Sequence, residues 1–456
     1  MQETLRIVDV PQQVGTDVTI AGRVASRRDM GKIVFLDVRD RYGLLQVVLT
    51  PDVPVEDRHA PHPSVPGTPV TQKDVREGSY VRITGRVKQR GEKYVNPNIA
   101  TGTVEMEAGQ ITIIATSQPF PFDPQDDLHI DTYLDHLPFT LRTDRGRAIF
   151  RVQAAIVEGF RSALTKRGFT EFHAPSIVGG STEGGANVFT IDYFGKPAFL
   201  AQSPQFYKQI MVGIFERAFT VATAFRAELH ATSRHLNEYC SLDFEFGPIT
   251  DHRDVMRMQN DMLIDLVAHV RAVCADEIAV LGATLPEVPP TIPSLKLREA
   301  QEVLKREFGM DCVGEPDLEP EHERKLCEWS AREHSSDFLY VTHYPTAKRP
   351  LYTMPDPEDP EFTLSFDLLF RGVEITTGGQ RIHDYEMLKG NIVKWGLDPA
   401  KFTYYLEAFQ YGMPPEGGLA IGLERLTQKL LGLDNVKLAT LFPRDIGRID
   451  DRLSAG

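Results

Sequence analysis

The stretch AFRAELHATSRHLNEYCSLDFEFG, residues 224–247, predicts two strands joined by a polar loop. In the second strand every other position is polar: Ser241, Asp243 and Glu245. Their apolar neighbours face the other way, because successive side chains of a strand point to opposite faces. Arg226 and Glu228 are expected to share one face of the first strand. The pattern indicates a hairpin with one apolar and one charged face, although a salt-bridged surface hairpin would produce the same pattern.

A glycine-rich stretch further along the chain predicts a strand that enters a helix. In GGLAIGLERLTQKLLGLDN, residues 417–435, the leucines at positions 423, 426, 430 and 431 would form the buried stripe of the helix. Arg425 lies off this stripe, near the helix start. In the loop of the first hairpin, Arg234 and His235 are also able to meet a polyphosphate. Each of these cations could equally be a solvated side chain.

The stretch SFDLLFRGVEITTGGQRIHDYE, residues 365–386, predicts another hairpin, with its turn at Arg371-Gly372. If the chain reverses just before Arg371, Asp367 and Glu374 lie directly opposite each other. Two facing carboxylates repel each other. A Mg²⁺ ion bound together with substrate phosphates would remove that repulsion. In a shifted register both carboxylates would be solvated instead.

A fourth candidate segment, FLAQSPQFYKQIMVG at 199–213, carries two polar side chains at a predicted helix start. Gln205 and Lys208 follow Pro204 and lie three positions apart. This spacing places them on one side of a helix, so they can converge on one ligand. A surface lysine is the simpler interpretation of Lys208 taken alone.

The length of 456 residues predicts two or three domains. About five short strands with glycine-containing turns come first, which is typical of a small β-barrel such as an OB-fold. A proline-rich stretch and then a segment with helical spacing follow. The rest lacks regular strand–helix alternation. We therefore expect a multidomain α+β protein with an OB-fold β-barrel at 1–115, a linker or hinge at 116–143, and a domain with an antiparallel sheet and flanking helices at 144–456.

The net charge of −14 would argue against a nucleic-acid partner, but the charge is unevenly distributed. Residues 1–110 contain 15 basic and 14 acidic residues, whereas the remainder contains 35 basic and 50 acidic residues. The near-neutral first part is therefore the better candidate for phosphate contacts. No apolar run approaches the ~20 residues of a membrane span. The absence of a signal-peptide pattern and the four distant cysteines predict a cytoplasmic protein.

Taken together, these stretches resemble the class II aminoacyl-tRNA synthetases. FRAE, T-x-RH, E-Y and D-x-E within 221–247 resemble motif 2 of that class, G-x-E-R within 417–432 resembles motif 3, and GFTEFHAPSIV at 168–178 resembles motif 1. The OB-like region is typical of the aspartyl, asparaginyl and lysyl subclass. QSPQFYKQ, STEGGANVF and GGQRIHDYE resemble the aspartyl enzymes, in their shorter archaeal-type form.

This resemblance implies an enzyme that joins L-aspartate to ATP as aspartyl-adenylate and then transfers the aspartyl group to tRNA. It implies three catalytic residues: Arg226, Arg425 and Glu228. The implied ATP-binding residues are Arg226, Glu228, Arg234, His235, Tyr239, Glu374 and Arg425. The implied Mg²⁺ ligands are Asp367, Glu374 and Thr377. Arginine suits the phosphate contacts because its planar guanidinium binds phosphate in a bidentate manner.

The resemblance also implies an amino acid pocket and an anticodon site. Lys208 and Arg381 would bind the side-chain carboxylate of aspartate, since two cations favour this anion over the neutral amide of asparagine. The α-amino group would be held by Asp243, Gln205 and Glu183. In the OB-like domain, Phe35 would stack on an anticodon base, beside Gln46 and Arg28. From its pattern alone, Phe35 could instead be a core residue of the barrel.

Three alternatives stay open. They are an asparaginyl-tRNA synthetase of the same fold, a paralogous adenylate-forming ligase, and a non-catalytic tRNA-binding protein. Lys208 argues against the first, the OB-like domain against the second, and the charged motif residues against the third. The expected tRNA is tRNA-Asp, and charging of tRNA-Asn as well stays open. Because motif 1 lies at a dimer interface in this class, we expect a homodimer.

Overall fold

The computed structural model describes residues 4–57, 70–123, 126–180, 188–229 and 232–449. The chain divides into two compact units, Met1–Asp126 and Asp127–Gly456. No helix in the described part of the chain is long and apolar enough to cross a membrane.

Unit 1 is a β-barrel, as predicted. The strands are β1 (Asp17–Asp29), β2 (Val34–Arg39), β3 (Leu44–Leu49), β4 (Val55–Asp57), β5 (Tyr80–Gln89) and β6 (Val104–Ala115). Their order is β3-β2-β1-β5-β6-β4, and the pairing of β3 with β6 closes the barrel. Strands β1 and β2 approach closely at Gly22, where a Cβ would lie 2.5 Å from the carbonyl oxygen of Arg39. Within the described residues of this unit, three 3-10 helices accompany the strands: Ile7–Gln13, Gln72–Asp74 and Glu92–Tyr94.

Aliphatic side chains from alternate strand positions fill the barrel. In β2, Val34, Leu36 and Val38 are buried and belong to this core. Phe35 lies between the first two, is only half-buried, and points to the outer side of the sheet. The interpretation of Phe35 as a core residue is therefore wrong.

Unit 2 is built on an eight-stranded sheet and a smaller three-stranded one. The strands are β7 (Thr170–Glu171), β8 (Ile177–Val178), β9 (Thr190–Tyr193), β10 (Lys196–Leu200), β11 (Arg217–Phe225), β12 (Glu238–Phe246), β13 (Ser294–Lys296), β14 (Phe338–Thr342), β15 (Ser365–Phe370), β16 (Val373–Gln380) and β17 (Gly417–Gly422). The large sheet has the order β13-β14-β15-β16-β17-β12-β11-β7. Only its two outermost pairings, β13–β14 and β11–β7, are parallel. The predicted α+β domain with an antiparallel sheet is thus confirmed.

The described part of unit 2 also contains helices. They are α1 (Ile130–Asp135), α2 (Leu137–Thr140), α3 (Asp144–Thr165), α4 (Gln205–Phe215), α5 (His252–Val273), α6 (Ala275–Leu281), α7 (Leu297–Phe308), α8 (Pro320–His334), α9 (Tyr385–Lys394), α10 (Thr403–Gln410) and α11 (Leu423–Leu431). The segment 116–143, expected to be a linker, includes α1 and α2. Helix α3 begins where Thr143 accepts a hydrogen bond from the Gly146 amide, which caps its first turn. The predicted leucine stripe of α11 is buried.

The hairpin β15–β16 has a different register from the one predicted. Its two-residue turn is formed by Arg371 and Gly372, both with positive φ. A bulge then shifts the pairing between Leu368 and Leu369, so Asp367 lies opposite Thr377 and Glu374 opposite Leu369. The prediction that Asp367 and Glu374 face each other directly is wrong, because the turn is longer and the bulge adds a residue.

Candidate active site

The central strands of the large sheet have one apolar face and one polar face. Leu242, Phe244 and Phe246 on β12 belong to the main core, together with side chains of α3 and α5. On the other face, the polar residues of β12 lie opposite small residues of β17. These pairs are Ser241 with Gly422, Asp243 with Ala420, and Glu245 with Gly418. The predicted alternation of β12 is therefore confirmed, and the small residues leave room above the polar face.

A cavity of about 310 Å³ lies over this face. Its walls come from β12, β16, β17, the start of α11 and the loop that follows β11. Eight predicted site residues line it: Arg226, Glu228, Arg234, His235, Tyr239, Glu374, Thr377 and Arg425. Glu424, which the sequence analysis did not single out, also lines it and accepts hydrogen bonds from the Cys240 amide at 3.0 and 3.1 Å. This contact fastens the start of α11 to β12 and so positions Arg425.

Arg226 and Glu228 lie just beyond β11, which ends at Phe225, so their expected place within the strand is wrong. The backbone there is held by Asn237, whose side-chain amide donates to the carbonyl oxygens of Arg226 at 2.7 Å and Glu228 at 3.0 Å. A guanidinium nitrogen of Arg226 lies 4.0 Å from a carboxylate oxygen of Glu228. The same guanidinium lies over the Tyr239 ring, 5.7 Å from its centroid. An aromatic ring, a cation and a carboxylate thus border one side of the cavity.

Arg234 is held by a carboxylate from outside the recognised motifs. Its guanidinium donates a short hydrogen bond to Glu323 on α8. The same Glu323 oxygen accepts from the Glu374 amide at 3.2 Å. Burial raises the pKa of Glu323, although the Arg234 cation opposes this shift. Glu323 therefore connects the loop arginine to the backbone of β16.

Asp367, Glu374 and Thr377 lie together despite the altered register. The bulge places all three on the polar face, and the Thr377 hydroxyl donates to Glu374 Oε1 at 2.8 Å. Burial opposes ionisation of Glu374, but the cation of Arg425, 3.9 Å away, helps to lower its pKa. Burial raises the pKa of Asp367 to about 6, with Arg349 opposing the shift.

The chemistry of this group suits a hard cation. Arg349 donates to Asp367 Oδ2 at 2.7 Å, whereas the buried Oδ1 has no hydrogen-bond partner among the described residues. No group of three or more His, Cys, Asp and Glu residues that could hold a metal lies in the described part of the chain. Two carboxylates and one hydroxyl are enough for Mg²⁺ only when phosphates or waters complete its octahedral shell. The residues therefore fit an ion that arrives with a nucleotide.

The predicted amino acid residues form a buried, charge-balanced group next to the cavity. Lys208 on α4 is 1% exposed, and its Nζ lies 3.0 Å from Asp243 Oδ1, 3.1 Å from Glu245 Oε2 and 2.9 Å from the Leu419 carbonyl oxygen. Arg381 pairs with Glu245 through Nε at 2.7 Å and donates to the Gly418 carbonyl oxygen at 2.9 Å. The two predicted cations thus share Glu245, which the sequence analysis placed on the polar face but did not assign to the pocket.

The other two residues predicted for the amino acid pocket are Gln205 and Glu183. The Gln205 side-chain amide lies 3.5 Å from Glu245 Oε1 and is buried. Glu183 lies outside the described residues.

Arg349 and Glu323 are functional candidates that the sequence analysis missed, because neither belongs to a motif. The interpretation of Lys208 as a surface lysine is wrong.

Unit 1 has its own groove, with a cavity of about 470 Å³. It is lined by Arg28, Met30, Phe35, Gln46, Arg90, Gly91, Tyr94 and Glu105. Arg28 donates to Asp37 at 2.8 Å and to Gln46 at 3.3 Å, and the Gln46 amide donates to Glu105 at 3.0 Å. The structure therefore brings the three predicted anticodon residues to one groove, with an aromatic face and oriented hydrogen-bonding groups.

Comparison with known families identifies both units. The family model of class II tRNA synthetases for D, K and N matches residues 129–446. The model of the OB-fold nucleic-acid-binding anticodon domain matches residues 18–114. These matches agree with the barrel and with the antiparallel sheet described above.

Individual proteins match along nearly the whole chain. The aspartate–tRNA(Asp/Asn) ligase of Deinococcus radiodurans is 45% identical over 450 residues, which covers 97% of this chain and 97% of that protein. The enzyme of the same name from Thermus thermophilus is 45% identical over 445 residues, covering 97% and 98%. The crystal structure of asparaginyl-tRNA synthetase from Pyrococcus horikoshii with asparaginyl-adenylate has a TM-score of 0.86 at 29% identity, covering 98% of this chain and all of that one.

Proposed function

The chain belongs to the class II tRNA synthetases of the aspartyl, lysyl and asparaginyl group, and from this premise we propose that it attaches L-aspartate to tRNA through aspartyl-adenylate. The observation that carries the choice of amino acid is the buried pair of cations, Lys208 and Arg381, beside the cavity of about 310 Å³. A substrate carboxylate placed between them gains two ionic contacts. The amide of asparagine offers these cations only a neutral oxygen, which makes a weaker contact with a cation than a carboxylate does.

The first step joins the α-carboxylate of aspartate to the α-phosphorus of ATP and releases pyrophosphate. This displacement needs no protein nucleophile, because the substrate carboxylate supplies the attacking oxygen. The protein contributes positioning and charge neutralisation. We assign Arg226 to the α-phosphate and the reacting carboxylate, and Arg425, Arg234 and His235 to the terminal phosphates. Tyr239 is assigned to the adenine ring, and Glu228 orients Arg226.

Asp367, Glu374 and Thr377 are the residues that would hold Mg²⁺. When bound there with ATP, the ion would neutralise phosphate charge. Asp243 and Gln205, with Glu183, are assigned to the α-amino group of aspartate. In the second step the hydroxyl at the 3′ end of tRNA attacks the activated carbonyl carbon and AMP leaves, so the aspartyl ester forms without a covalent protein intermediate.

The anticodon is assigned to the groove of unit 1. Phe35 offers a half-buried aromatic ring in this groove for stacking, and Gln46 and Arg28 offer hydrogen bonds at its edge. We propose that both tRNA-Asp and tRNA-Asn are charged, since two relatives at 45% identity carry the name aspartate–tRNA(Asp/Asn) ligase. Aminoacylation of the two purified tRNAs with aspartate tests this directly. A rate with tRNA-Asn below one-hundredth of that with tRNA-Asp would refute it.

We further propose a homodimer formed through the region of motif 1. Strand β7 lies at the edge of the large sheet, and Ile177 in motif 1 is a large apolar residue that is 47% exposed. Sedimentation of the purified protein tests this assignment. A monomer at micromolar concentration would contradict it.

Exchange of radiolabelled pyrophosphate into ATP separates the aspartyl from the asparaginyl enzyme. We expect exchange that depends on aspartate and is at least 100-fold weaker with asparagine. Exchange with asparagine alone would favour the asparaginyl enzyme, whose fold is represented by the Pyrococcus horikoshii structure. Exchange with aspartate but no transfer to any tRNA would favour a paralogous ligase.

A further inference from the structure

Glu416 is a buried carboxyl group behind the amino acid pocket that the reaction described above does not use. It immediately precedes β17 and is 0% exposed. Its Oε1 accepts a hydrogen bond from the Gln209 side-chain amide at 2.7 Å, and the Gln209 oxygen accepts one from the Tyr405 hydroxyl at 2.8 Å. Its Oε2 is buried and makes no hydrogen bond to an N–H or hydroxyl group of the described residues.

Glu245 lies opposite Gly418 in the β12–β17 pairing, so its side chain and that of Glu416, two positions before Gly418, are diagonal neighbours on one face of the sheet. A hydrogen bond with Glu245 is among the causes that raise the pKa of Glu416. Two adjacent carboxyl groups in a dry site are stable only when one proton lies between them. Glu245 is ion-paired with both Lys208 and Arg381, so it is the carboxylate of the pair. The proton therefore resides on Glu416.

The surroundings of Glu416 support this assignment. The charged or titratable groups that face it are Glu245 from β12, Arg381 from the end of β16 and Tyr405 from α10, while α4 contributes the neutral amide of Gln209. Burial, and then the charge of Glu245, raise the pKa of Glu416 well above its usual range. Burial also opposes ionisation of Glu245, but the cations of Arg381 and Lys208 lower its pKa.

We propose that Glu416 is a positioning residue for amino acid selection. Its carboxylic acid donates a hydrogen bond to Glu245, which keeps Lys208 and Arg381 oriented toward the side-chain carboxylate of the substrate. With Glu416 neutral, the two cations are balanced by Asp243 and Glu245 alone. An ionised Glu416 would add a third anion, repel the substrate carboxylate and weaken the selection of aspartate over asparagine. This inference rests on the aspartate specificity proposed above.

Two variants of the full-length protein test the role. Glu416→Gln preserves both contacts, because its amide can donate to Glu245 while its oxygen accepts from Gln209. Glu416→Leu removes both and leaves Glu245 without that donor. In pyrophosphate exchange at pH 7, we expect the KM for aspartate to stay within about twofold in the glutamine variant and to rise about tenfold in the leucine variant. The kcat and the KM for ATP should change less than about twofold in both.

The pH profile distinguishes this role from a purely structural one. In the wild-type protein, the KM for aspartate should rise at alkaline pH as Glu416 loses its proton. Glu416→Gln cannot ionise, so that part of the rise should disappear, while titration of the substrate amino group is common to both proteins. This comparison holds even if Glu416→Leu fails to fold.

Three results would overturn the inference. One is a glutamine variant that loses aspartate affinity as much as the leucine variant. Another is a glutamine variant that binds aspartate several-fold more tightly at pH 7, because Glu416 would then be ionised in the wild-type protein. The third is identical pH profiles for the wild-type and glutamine proteins. Absence of aspartate-dependent exchange in the wild-type protein would instead refute the proposed function itself.

Discussion

Replacement of Arg226 by alanine should greatly reduce adenylate formation while leaving the protein folded. The Arg226 side chain is 46% exposed, and its nitrogen lies 4.0 Å from Glu228. A pair that exposed contributes about 0–1 kcal/mol to stability, and the contact with the Tyr239 ring adds about 0.5–1 kcal/mol. The free energy of unfolding should therefore fall by about 0.5–2 kcal/mol, which leaves the protein folded at 25 °C.

The expected loss of activity is much larger. In the proposed reaction, Arg226 holds the α-phosphate as negative charge develops on it. Removal of one preorganised donor at such a position costs about 3–4 kcal/mol in the transition state. Because each 1.36 kcal/mol is a factor of ten in rate, pyrophosphate exchange should fall about 10²- to 10³-fold.

Three measurements on the same preparation decide the outcome. They are pyrophosphate exchange, thermal unfolding and tRNA binding by filter retention, with tRNA affinity expected to stay within about threefold. Arg226→Lys is the matched control, since it keeps the charge but not the bidentate geometry, and it should recover only part of the rate. Unchanged exchange in Arg226→Ala would refute the assignment, and so would a parallel loss of activity and tRNA binding.

Three further predictions concern the anticodon groove, the metal ligands and α8. Phe35→Ala should weaken tRNA binding about 10- to 100-fold, which is the cost of one lost stacking contact. Pyrophosphate exchange measured without tRNA should be unchanged. The control is Tyr42→Ala, which removes an exposed aromatic residue of the same unit. Because burial raises the pKa of Asp367 to about 6, this carboxylate becomes protonated as the pH falls through that value. The Mg²⁺ concentration for half-maximal exchange should then rise about tenfold per pH unit below 6, and an Mg²⁺ requirement that is flat from pH 7 to 5 would contradict this. Glu323→Gln should raise the KM for ATP about fivefold, because it weakens the contact that holds Arg234. Glu328→Gln, on the exposed side of α8, is the control and should leave this KM unchanged. Equal KM values for the two variants would exclude the positioning role of Glu323.

The features that the sequence predicted well depend on local patterns. The alternation in β12 and the leucine stripe of α11 follow from the period of a strand and of a helix, and both are confirmed. The barrel of unit 1 follows in the same way from short alternating segments. All seven predicted ATP-binding residues share one cavity because they come from strands and loops that neighbour one another in the sheet.

The features that could not be predicted from the sequence depend on contacts between segments that are distant along the chain. The bulge in β15–β16 depends on how β16 pairs with both of its neighbouring strands. No residue type between positions 365 and 380 indicates where the bulge lies. Glu323 meets Arg234 across 89 positions of sequence, and α8 carries no motif that would indicate this contact. Arg349 meets Asp367 at the end of a loop rather than within a periodic element. Such pairs require the three-dimensional arrangement of the sheet.

The glycines of β17 show why a motif can be functional without contributing a side chain. At Gly418, a Cβ would lie 2.3 Å from Glu245 Oε2 and 2.1 Å from the Phe244 carbonyl oxygen. Glycine is therefore needed at position 418, where β17 approaches β12 closely. Any side chain there would displace the carboxylate of Glu245, which pairs with both Lys208 and Arg381. The same small residues leave the polar face of β12 open to a ligand. In the proposed function, selection of an anionic amino acid depends on this local group of two cations and two carboxylates, which the net charge of −14 does not reveal.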